Sequence, residues 1–398
     1  VNETAKAGHF APLDGLRVID LTTSVAGPYA TQLLGSLGAD VIKIEALAGD
    51  SAREWKPPAF EDRAPLFLVG NAGKRSVAVD LRRGSAVVKR LANSADILVQ
   101  SLRPGLVDDL GLTAAVLRAE NSKLIYCSVR AYGRVGPKAD LPGYDSLMQA
   151  AGGIMSVTGE PGQSPVRAGV SLVDYATGIW AAFAVVSAVL ERQRTGEGTV
   201  IDVALYETAI AFMAHHIVGY LGSGKIPQPV GTGFSGIAPY ELFDVRDGSV
   251  MIAAATDKMF QGLVDVLGLT ELAADPRFST NGDRVAHRDQ LHALLRSAFG
   301  EQDRDSLLDR LVAAGVPASA VNNVGDVVAD EQTRAADMIQ TLDGIPLIAP
   351  PMTFDGTRAS YRSGPPEVGG QTVEVLTEAG FSDAEISALR DDGIIAGR

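Results

Sequence analysis

Asp174 is the residue in this chain best placed to do chemistry. It lies in the run Arg167-Ala-Gly-Val-Ser-Leu-Val-Asp-Tyr-Ala-Thr-Gly178. The carboxylate follows a largely apolar stretch, 170–173, with Gly169 before it and Gly178 after it. The helical-looking run 179–190 comes next. A strand end leading into a helix start is where α/β folds present catalytic groups. Two readings of such an aspartate stand side by side. It caps the helix, its oxygen accepting an orphan backbone N–H, or it is a nucleophile that carries an acyl group.

Positive residues fall at the ends of predicted strands or in the loops beyond them: Lys43, Lys74, Arg75, Arg103 in Leu102-Arg-Pro-Gly105, Arg130, Arg134, Lys138 and Arg167. Strand C-termini of a parallel sheet share one edge, so a few of these are expected to converge on a phosphate-bearing ligand and the rest to be surface charge. The histidines are His9, His215, His216, His287 and His292. None has the H-x-x-x-H or Cys/His spacing of a zinc site, so no metal is expected. His215-His216 falls in a predicted apolar helix, which places one of them toward a core. G-x-S-x-G is absent, which leaves an α/β-hydrolase elbow unsupported. Cys127, in the apolar run 124–129, reads as buried strand filler, since nothing nearby in sequence would lower its thiol pKa.

Gly231-Thr-Gly-Phe-Ser-Gly236 matches G-x-G-x-x-G literally. A dinucleotide fingerprint should follow a strand and open a helix. Here Pro227 and Pro229 precede it and Ala238-Pro239 follows. The segment reads as a glycine loop able to close over a site, or as a plain linker.

The elements that must position these groups begin with a βαβ unit. Residues 17–21 read as a strand, Pro28 as the first helical position, 29–37 as the helix, Gly38 as its stop and 40–45 as the next strand. Strands follow at 76–80, 96–100 and 124–129, with a helix at 84–94. The alternation predicts a doubly wound, Rossmann-like parallel sheet. Glu45 ends the second strand, where such folds bind a ribose hydroxyl. The first turn, Thr22-Thr-Ser-Val-Ala-Gly-Pro28, lacks the three-glycine spacing, which argues against bound NAD. A turn and strand at 196–204 lead to a helix over 205–222. Beyond a Gly/Pro-rich segment, 223–236, a hairpin with an Asp-Gly turn covers 240–254, and short charged helices run to 314. Residues 330–340 read as helical and 346–354 as strand-like. Helices close the chain at 373–376 and 382–391, the latter with Ser382 and Glu385 spaced as a capping box. The expected division is a large Rossmann-like domain (1–224), a smaller α+β domain (225–325), and a segment returning to the large domain (326–398).

With 398 residues, 46% hydrophobic and 21% charged, the chain can fill two cores. Its net charge of -13 argues against sequence-independent nucleic-acid binding, which needs a broad basic surface. One cysteine allows no intrachain disulfide and points to a reducing compartment, with the cytoplasm as default. Residues 1–10 contain no apolar h-region, so no signal peptide is expected. No uninterrupted apolar run reaches transmembrane length, and 179–190 reads as a buried helix, so no membrane partner is expected.

In order and spacing, nine runs resemble the family III CoA-transferases. This group contains formyl-CoA transferase and carnitine CoA-transferase, with α-methylacyl-CoA racemase as a close relative. The runs are Pro12-Leu-Asp-Gly-Leu-Arg-Val-Ile-Asp-Leu21, Ala26-Gly-Pro28, Leu37-Gly-Ala-Asp-Val-Ile-Lys-Ile-Glu45, Asn71-Ala-Gly-Lys-Arg-Ser76, Arg103-Pro-Gly105, Gly143-Tyr-Asp145, Gly169-Val-Ser-Leu-Val-Asp174, Arg194-Thr-Gly196 and Asp202-Val-Ala-Leu-Tyr-Glu207. The resemblance implies that Asp174 attacks an acyl-CoA thioester to give a mixed anhydride and CoA thiolate. The thiolate then forms an aspartyl-CoA thioester, and an acceptor carboxylate completes the exchange. It implies CoA contacts from Val25, Ala26, Lys43, Lys74, Arg75, Arg103, Arg130, Lys138 and Tyr144, with Gly231, Gly233 and Gly236 forming the glycine loop. Backbone N–H groups near Gly27 or in that loop would stabilise the tetrahedral oxyanions. It implies acyl-CoA and a small carboxylic acid as substrates, no permanently bound cofactor, and an interlocked homodimer.

The chain departs from the family in places. Tyr144 stands where racemases of the group carry a histidine. Racemisation needs two acid/base groups flanking the α-carbon, and a tyrosine is ill suited near neutral pH, which favours transfer. Val25 stands where formyl-CoA transferase has a glutamine, and the spaced glycines of 231–236 replace a consecutive run. These two differences point to an acyl group larger or more apolar than formate or oxalate.

Overall fold

The computed structural model describes residues 10–398; His9 and nearly all of the opening segment read for a signal peptide lie outside them. The chain divides into two compact units. The first comprises the residues up to Ile154, with Ala168–His215 and Gln332–Arg398; the second comprises Met155–Arg167 and His216–Glu331. The division thus differs from the boundaries read in the sequence. A short segment before the Asp174 helix joins the second unit, because its contacts are long-range and carry no composition signal.

The first unit is built on a seven-stranded sheet. Its strands are β1 (Arg17–Leu21), β2 (Asp40–Glu45), β3 (Arg75–Val79), β4 (Ile97–Gln100), β5 (Ile125–Arg130) and β6 (Val200–Ala204). They pair in parallel in the order β3-β2-β1-β4-β5-β6. The seventh strand, Ile395–Ala396, pairs antiparallel with β3. The fold is therefore mixed α/β with one parallel-dominated sheet. Strands β1 to β5 are almost wholly buried, which is why they read as continuous apolar runs rather than alternating ones. One core joins Ile19, Ile42, Val77 and Leu98 to Val88 and Leu91 of the helix Ser85–Asn93, and to Val375 and Leu376 of the helix Thr372–Glu378. Cys127 lies wholly buried in β5, and burial pushes its thiol up to about 12, so it is no nucleophile.

Strand order reverses between β1 and β4, which gives the sheet a topological switch point. Chains leaving neighbouring strands there diverge to opposite faces and open a crevice beyond their carboxyl ends.

In the second unit, β7 (Tyr240–Val245), β8 (Gly248–Ala253) and β9 (Ala318–Ala320) form an antiparallel sheet. The hairpin turns at Arg246-Asp247, the site of the Asp-Gly signal. Phe243, Val250 and Ile252 pack with Phe260, Leu295 and Phe299 from the surrounding helices and with Phe278 from a turn. Past this unit the chain forms two small hairpins, β10 (Ile339–Leu342) with β11 (Ile345–Ile348), and β12 (Thr353–Phe354) with β13 (Thr357–Arg358). The edge strand Ile395–Ala396 is β14.

Several local readings need correction. The first helix is Ala26–Ser36, so Pro28 is its third residue. Residues 205–222 form two helices, Leu205–Phe212 and Ala214–Ser223, not one. The second buries none of its residues, and His215 is exposed, so neither it nor half-buried His216 enters a core. The helix read at 330–340 gives way to short helices Val324–Ala329 and Glu331–Ala335, followed by β10. The terminal helix Asp383–Asp391 has the capping box between Ser382 and Glu385.

Candidate active site

Asp174 follows no strand. It is the third residue of the long helix Leu172–Thr195. That helix is long and apolar enough to cross a membrane by length and composition alone, yet half of its most apolar stretch is buried within the protein. Val173, Ala181, Val185 and Val189 face inward, whereas Ile179, Trp180, Phe183 and Leu190 are exposed. The buried helix expected at 179–190 is therefore buried on one side only.

Asp174 is not a cap either. The N-cap position is Ser171, whose side chain makes no capping bond. The orphan amides of the first turn go to a different carboxylate, Asp145. Its Oδ2 accepts the N–H of Val173 at 2.8 Å and of Asp174 at 3.1 Å. Its Oδ1 accepts from Gln149 Nε2, while Gln149 Oε1 accepts the N–H of Ala168 at 2.9 Å. Asp145 thus fixes where the long helix begins. The Asp174 side chain is left buried, with no cation paired to it among the described residues. Burial, reinforced by the charge of Asp145, raises its carboxyl from the usual range to about 7. Such a group is largely ionised just above neutral pH and, lacking a counter-ion, is a better nucleophile than a solvated carboxylate.

Asp174 opens onto a cleft of about 680 Å³ within the first unit. The walls come from the carboxyl ends of three strands: Thr23, Ser24, Ala26 and Gly27 after β1, Ser101–Pro104 after β4, and Val129–Ala131 at the end of β5. Gly143 and Tyr144 add a further side. The site therefore lies at the switch point, as the fold requires.

The first helix reaches Asp174 through a glycine contact. A Cβ on Gly178 would stand 2.7 Å from Ala26 O and 3.0 Å from the Tyr29 ring. Gly178 lies one turn beyond Asp174, on the same face of the helix, so this contact brings Asp174 beside the start of the first helix. At such a start the leading amides have no intrahelical acceptor. Ala26 and Gly27 are the first two helical residues, and Pro28 has no N–H. The Ala26 and Gly27 amides are thus the donors available to an oxyanion beside Asp174.

The remaining expected residues separate into two groups. Arg103, Arg130, Tyr144 and Ala26 line the cleft. Arg103 is exposed, and the buried Nε of Arg130 has no acceptor among the described residues. Val25 is buried just before the first helix and does not line the cleft. It therefore says nothing about acyl size, and the inference of a more apolar substrate drawn from it fails. Lys138 is exposed, its Nζ 5.4 Å above the Tyr132 ring, and is not part of the cleft wall. Arg134 pairs with Asp202 at 3.4 Å.

Lys43, Lys74 and Arg75 are corrections. Lys43 is wholly buried, paired with Asp50 at 2.8 Å and donating to Thr22 O. Lys74 is buried and paired with Asp20 at 2.8 Å. Arg75 opens β3 rather than ending it, so it stands at the opposite edge of the sheet, where it pairs with Asp40, Glu374 and Glu378. Their charge is already balanced within the fold, and none lines the cleft. Glu45 is likewise engaged, with Arg53 at 2.7 Å and Ser76 at 2.7 Å.

Gly231, Gly233 and Gly236 lie in the second unit, in a loop before β7. Gly231 has a φ of 62°. Its N–H donates to Gly159 O at 3.0 Å. Arg288 donates to Phe234 O and Ile237 O, both at 2.8 Å, and Asn281 to Gly236 O at 2.9 Å. No helix follows the glycines, so the literal G-x-G-x-x-G match has none of the geometry of a dinucleotide site. Among the described residues no cluster of three His, Cys, Asp or Glu side chains could hold a metal.

Sequence reasoning missed Asp145 and Asp20 as parts of this site. Asp20 had a usable signal, a charge inside an otherwise apolar strand. Asp145 stood in the run Gly143-Tyr-Asp145, but nothing local showed that it would accept amides of the helix that begins 27 positions on.

Comparison with known proteins gives the same direction. The model of CoA-transferase family III matches residues 13–372. Succinate–glutarate CoA-transferase of Agrobacterium fabrum is 36% identical over 381 residues, covering 92% of this chain and 95% of that protein. Acetyl-CoA:oxalate CoA-transferase of Acetobacter aceti is 35% identical over 390 residues, covering 97% and 100%. A crystal structure of a CAIB/BAIF family protein from Brucella suis superposes with a TM-score of 0.85 at 40% identity, covering 93% of this chain and 99% of that one. The chain belongs to CoA-transferase family III.

Proposed function

We propose that this enzyme moves CoA from an acyl-CoA donor to a carboxylic acid, with Asp174 as the covalent carrier. An Asp174 oxygen attacks the thioester carbonyl, the C–S bond breaks, and CoA leaves as the thiolate. The thiolate attacks the aspartyl carbonyl of the resulting anhydride, which releases the donor acid as a carboxylate and leaves an aspartyl-CoA thioester. An acceptor carboxylate attacks that thioester and displaces the thiolate, which then takes the acyl group and frees Asp174. No net proton is consumed and each step exchanges one activated carboxyl for another, so no external base is required. The Ala26 and Gly27 amides receive the oxyanion of each tetrahedral stage. Arg103 and Arg130 supply positive charge for the CoA phosphates and for carboxylate substrates.

The observation that carries this reading is a buried carboxylate without a counter-ion, opening onto the cleft that Ala26 and Gly27, at the start of the first helix, also line. The lining mixes apolar residues with serines, Thr23, Asp140 and two arginines; the arginines suit charged acyl groups, and both relatives named above act on dicarboxylic acids. We take a small dicarboxylic acid as one partner in the exchange. Racemisation fits less well. Tyr144 is the side chain adjacent to Asp145, and Asp145 is occupied by the amides of Val173 and Asp174.

The exposed apolar face of the long helix supports a second subunit as its cover, as the interlocked homodimer of the family requires.

Incubation with a panel of acyl-CoAs, followed by hydroxylamine and peptide mass spectrometry, tests the reading. A hydroxamate on Asp174 is expected. Transfer activity without any adduct at Asp174 would refute it.

A further inference from the structure

We propose that Lys74 is a positioning residue for the transfer, holding the turn that presents the Ala26 and Gly27 amides to the acyl group on Asp174. The proposal rests on the reading of Asp174 given above.

The turn between β1 and the first helix is shaped from behind by buried charge. Asp20, at the end of β1, is wholly buried. Its Oδ1 accepts the N–H and hydroxyl of Thr22, and its Oδ2 accepts Thr31 Oγ1 at 2.7 Å and Lys74 Nζ at 2.8 Å. An ammonium has three donors, and Lys74 uses all of them. Besides Asp20 they go to Pro28 O at 2.9 Å and Asn71 Oδ1 at 2.8 Å. Lys43 takes the other end of the turn, donating to Thr22 O at 2.8 Å. Two lysines thus hold the carbonyls at either end of the segment that carries both amides.

The segment between them has little slack. Ser24 has a φ of 71°, a conformation that side-chain-bearing residues seldom adopt. A Cβ on Gly27 would stand 2.4 Å from Thr22 Cβ. Releasing Pro28 O from Lys74 would let the first helical turn swing, and the amides would lose their aim. Lys74 is too deeply buried to touch substrate, so its effect is on rate and not on CoA affinity.

Charge in the cluster makes this readable by pH. The titratable groups facing Lys74 are Asp20 from β1, Lys43 from β2 and Asp50 from the loop after β2. Burial is the main cause that pulls the Lys74 ammonium down to about 8. Asp20 opposes it, Lys43 adds to it and Asp50 opposes it. The protonated form is the holding form, so kcat should fall as pH rises through about 8.

The experiment measures kcat and KM against pH for the wild type, Lys74→Met, and the charge-balanced pair Asp20→Asn with Lys74→Met. The pair removes both charges of the buried ion pair, whereas the single variant leaves Asp20 without Lys74. Expected for the pair is a kcat lower by about tenfold to a hundredfold. KM for acyl-CoA should hold within about threefold, and the alkaline limb should be absent. A folded pair with wild-type kcat overturns the proposal. So does an alkaline limb that the folded pair keeps unchanged, since that limb would then not arise from Lys74. If the wild type forms the Asp174 hydroxamate and either of these results appears, only the role of Lys74 fails. If no donor gives that adduct, the assignment of Asp174 itself fails.

Discussion

Asp145 accepts the backbone N–H of Asp174 while its charge raises the carboxyl of the same residue. One side chain therefore starts the long helix and makes that helix's third residue harder to ionise. A carboxylate near a helix start is ordinarily favoured by the amides there. Here those amides are occupied by Asp145, so Asp174 gains nothing from them and burial sets its behaviour. A buried carboxyl near 7 is the result.

Asp145→Asn keeps an oxygen that can accept the two amides but removes the charge. The acid limb of kcat/KM, expected near pH 7 in the wild type, should move to lower pH by roughly one unit or less. An unmoved limb would mean that burial alone sets the Asp174 carboxyl.

Asp174→Asn should lower kcat by at least about a thousandfold and stabilise the protein at alkaline pH. The sign follows from linkage. The carboxyl is raised in the fold, so its contribution to stability is full below the unfolded value near 4 and is lost as pH rises through about 7. The variant should therefore gain a few degrees of Tm at pH 8 and almost none at pH 4. Equal gains at both, read by scanning calorimetry, would contradict the burial of a charge at this position.

The arginines separate by location. Arg103→Ala and Arg130→Ala should each raise KM for acyl-CoA by about tenfold. Arg75→Ala should leave KM unchanged and cost about 1 kcal/mol of stability, as expected for a partly exposed ion-pair network. Steady-state kinetics of the three with one donor makes the comparison.

Gly178→Ala should destabilise by about 1–3 kcal/mol and lower kcat, because the added carbon meets backbone at Ala26 O. Gly169→Ala is the control, since a Cβ there meets nothing within 4 Å. Denaturant titration and turnover of the pair report both effects, and a neutral Gly178→Ala would refute the close helix contact.

Phe183→Glu places a charge on the exposed face of the long helix. It should convert a dimer to monomers in sedimentation at micromolar concentration. A wild type that is monomeric would remove the proposed subunit contact.

The parallel sheet was legible because its strands are short apolar runs separated by glycine, proline and amphipathic helices, signals that are local. Asp174 does line the cleft, but its setting was misread. The run 170–173 has strand composition, yet Asp145, 29 positions earlier, begins the helix there. The phosphate set was overdrawn for a related reason. Sequence shows where a lysine stands along a strand but not which way it points or what it meets. Lys43 and Lys74 point inward to Asp50 and Asp20, and Arg75 stands at the wrong end of its strand. The half-exposed long helix was beyond a composition argument, because an exposed apolar face reads the same as one facing a core.

The edge strand β14 and the helix Thr372–Glu378 have a consequence for how the chain reaches its fold. Arg17 of β1 is tied to Glu378 across 361 positions, and β3 finds its outer neighbour only at Ile395. Between them the chain must first make the whole second unit. Such a sheet has high contact order, and its closure waits on a long loop. The β1–β5 sheet must then persist with an open edge at β3 while the inserted unit is synthesised, which makes that edge the exposed surface a chaperone would be called on to guard.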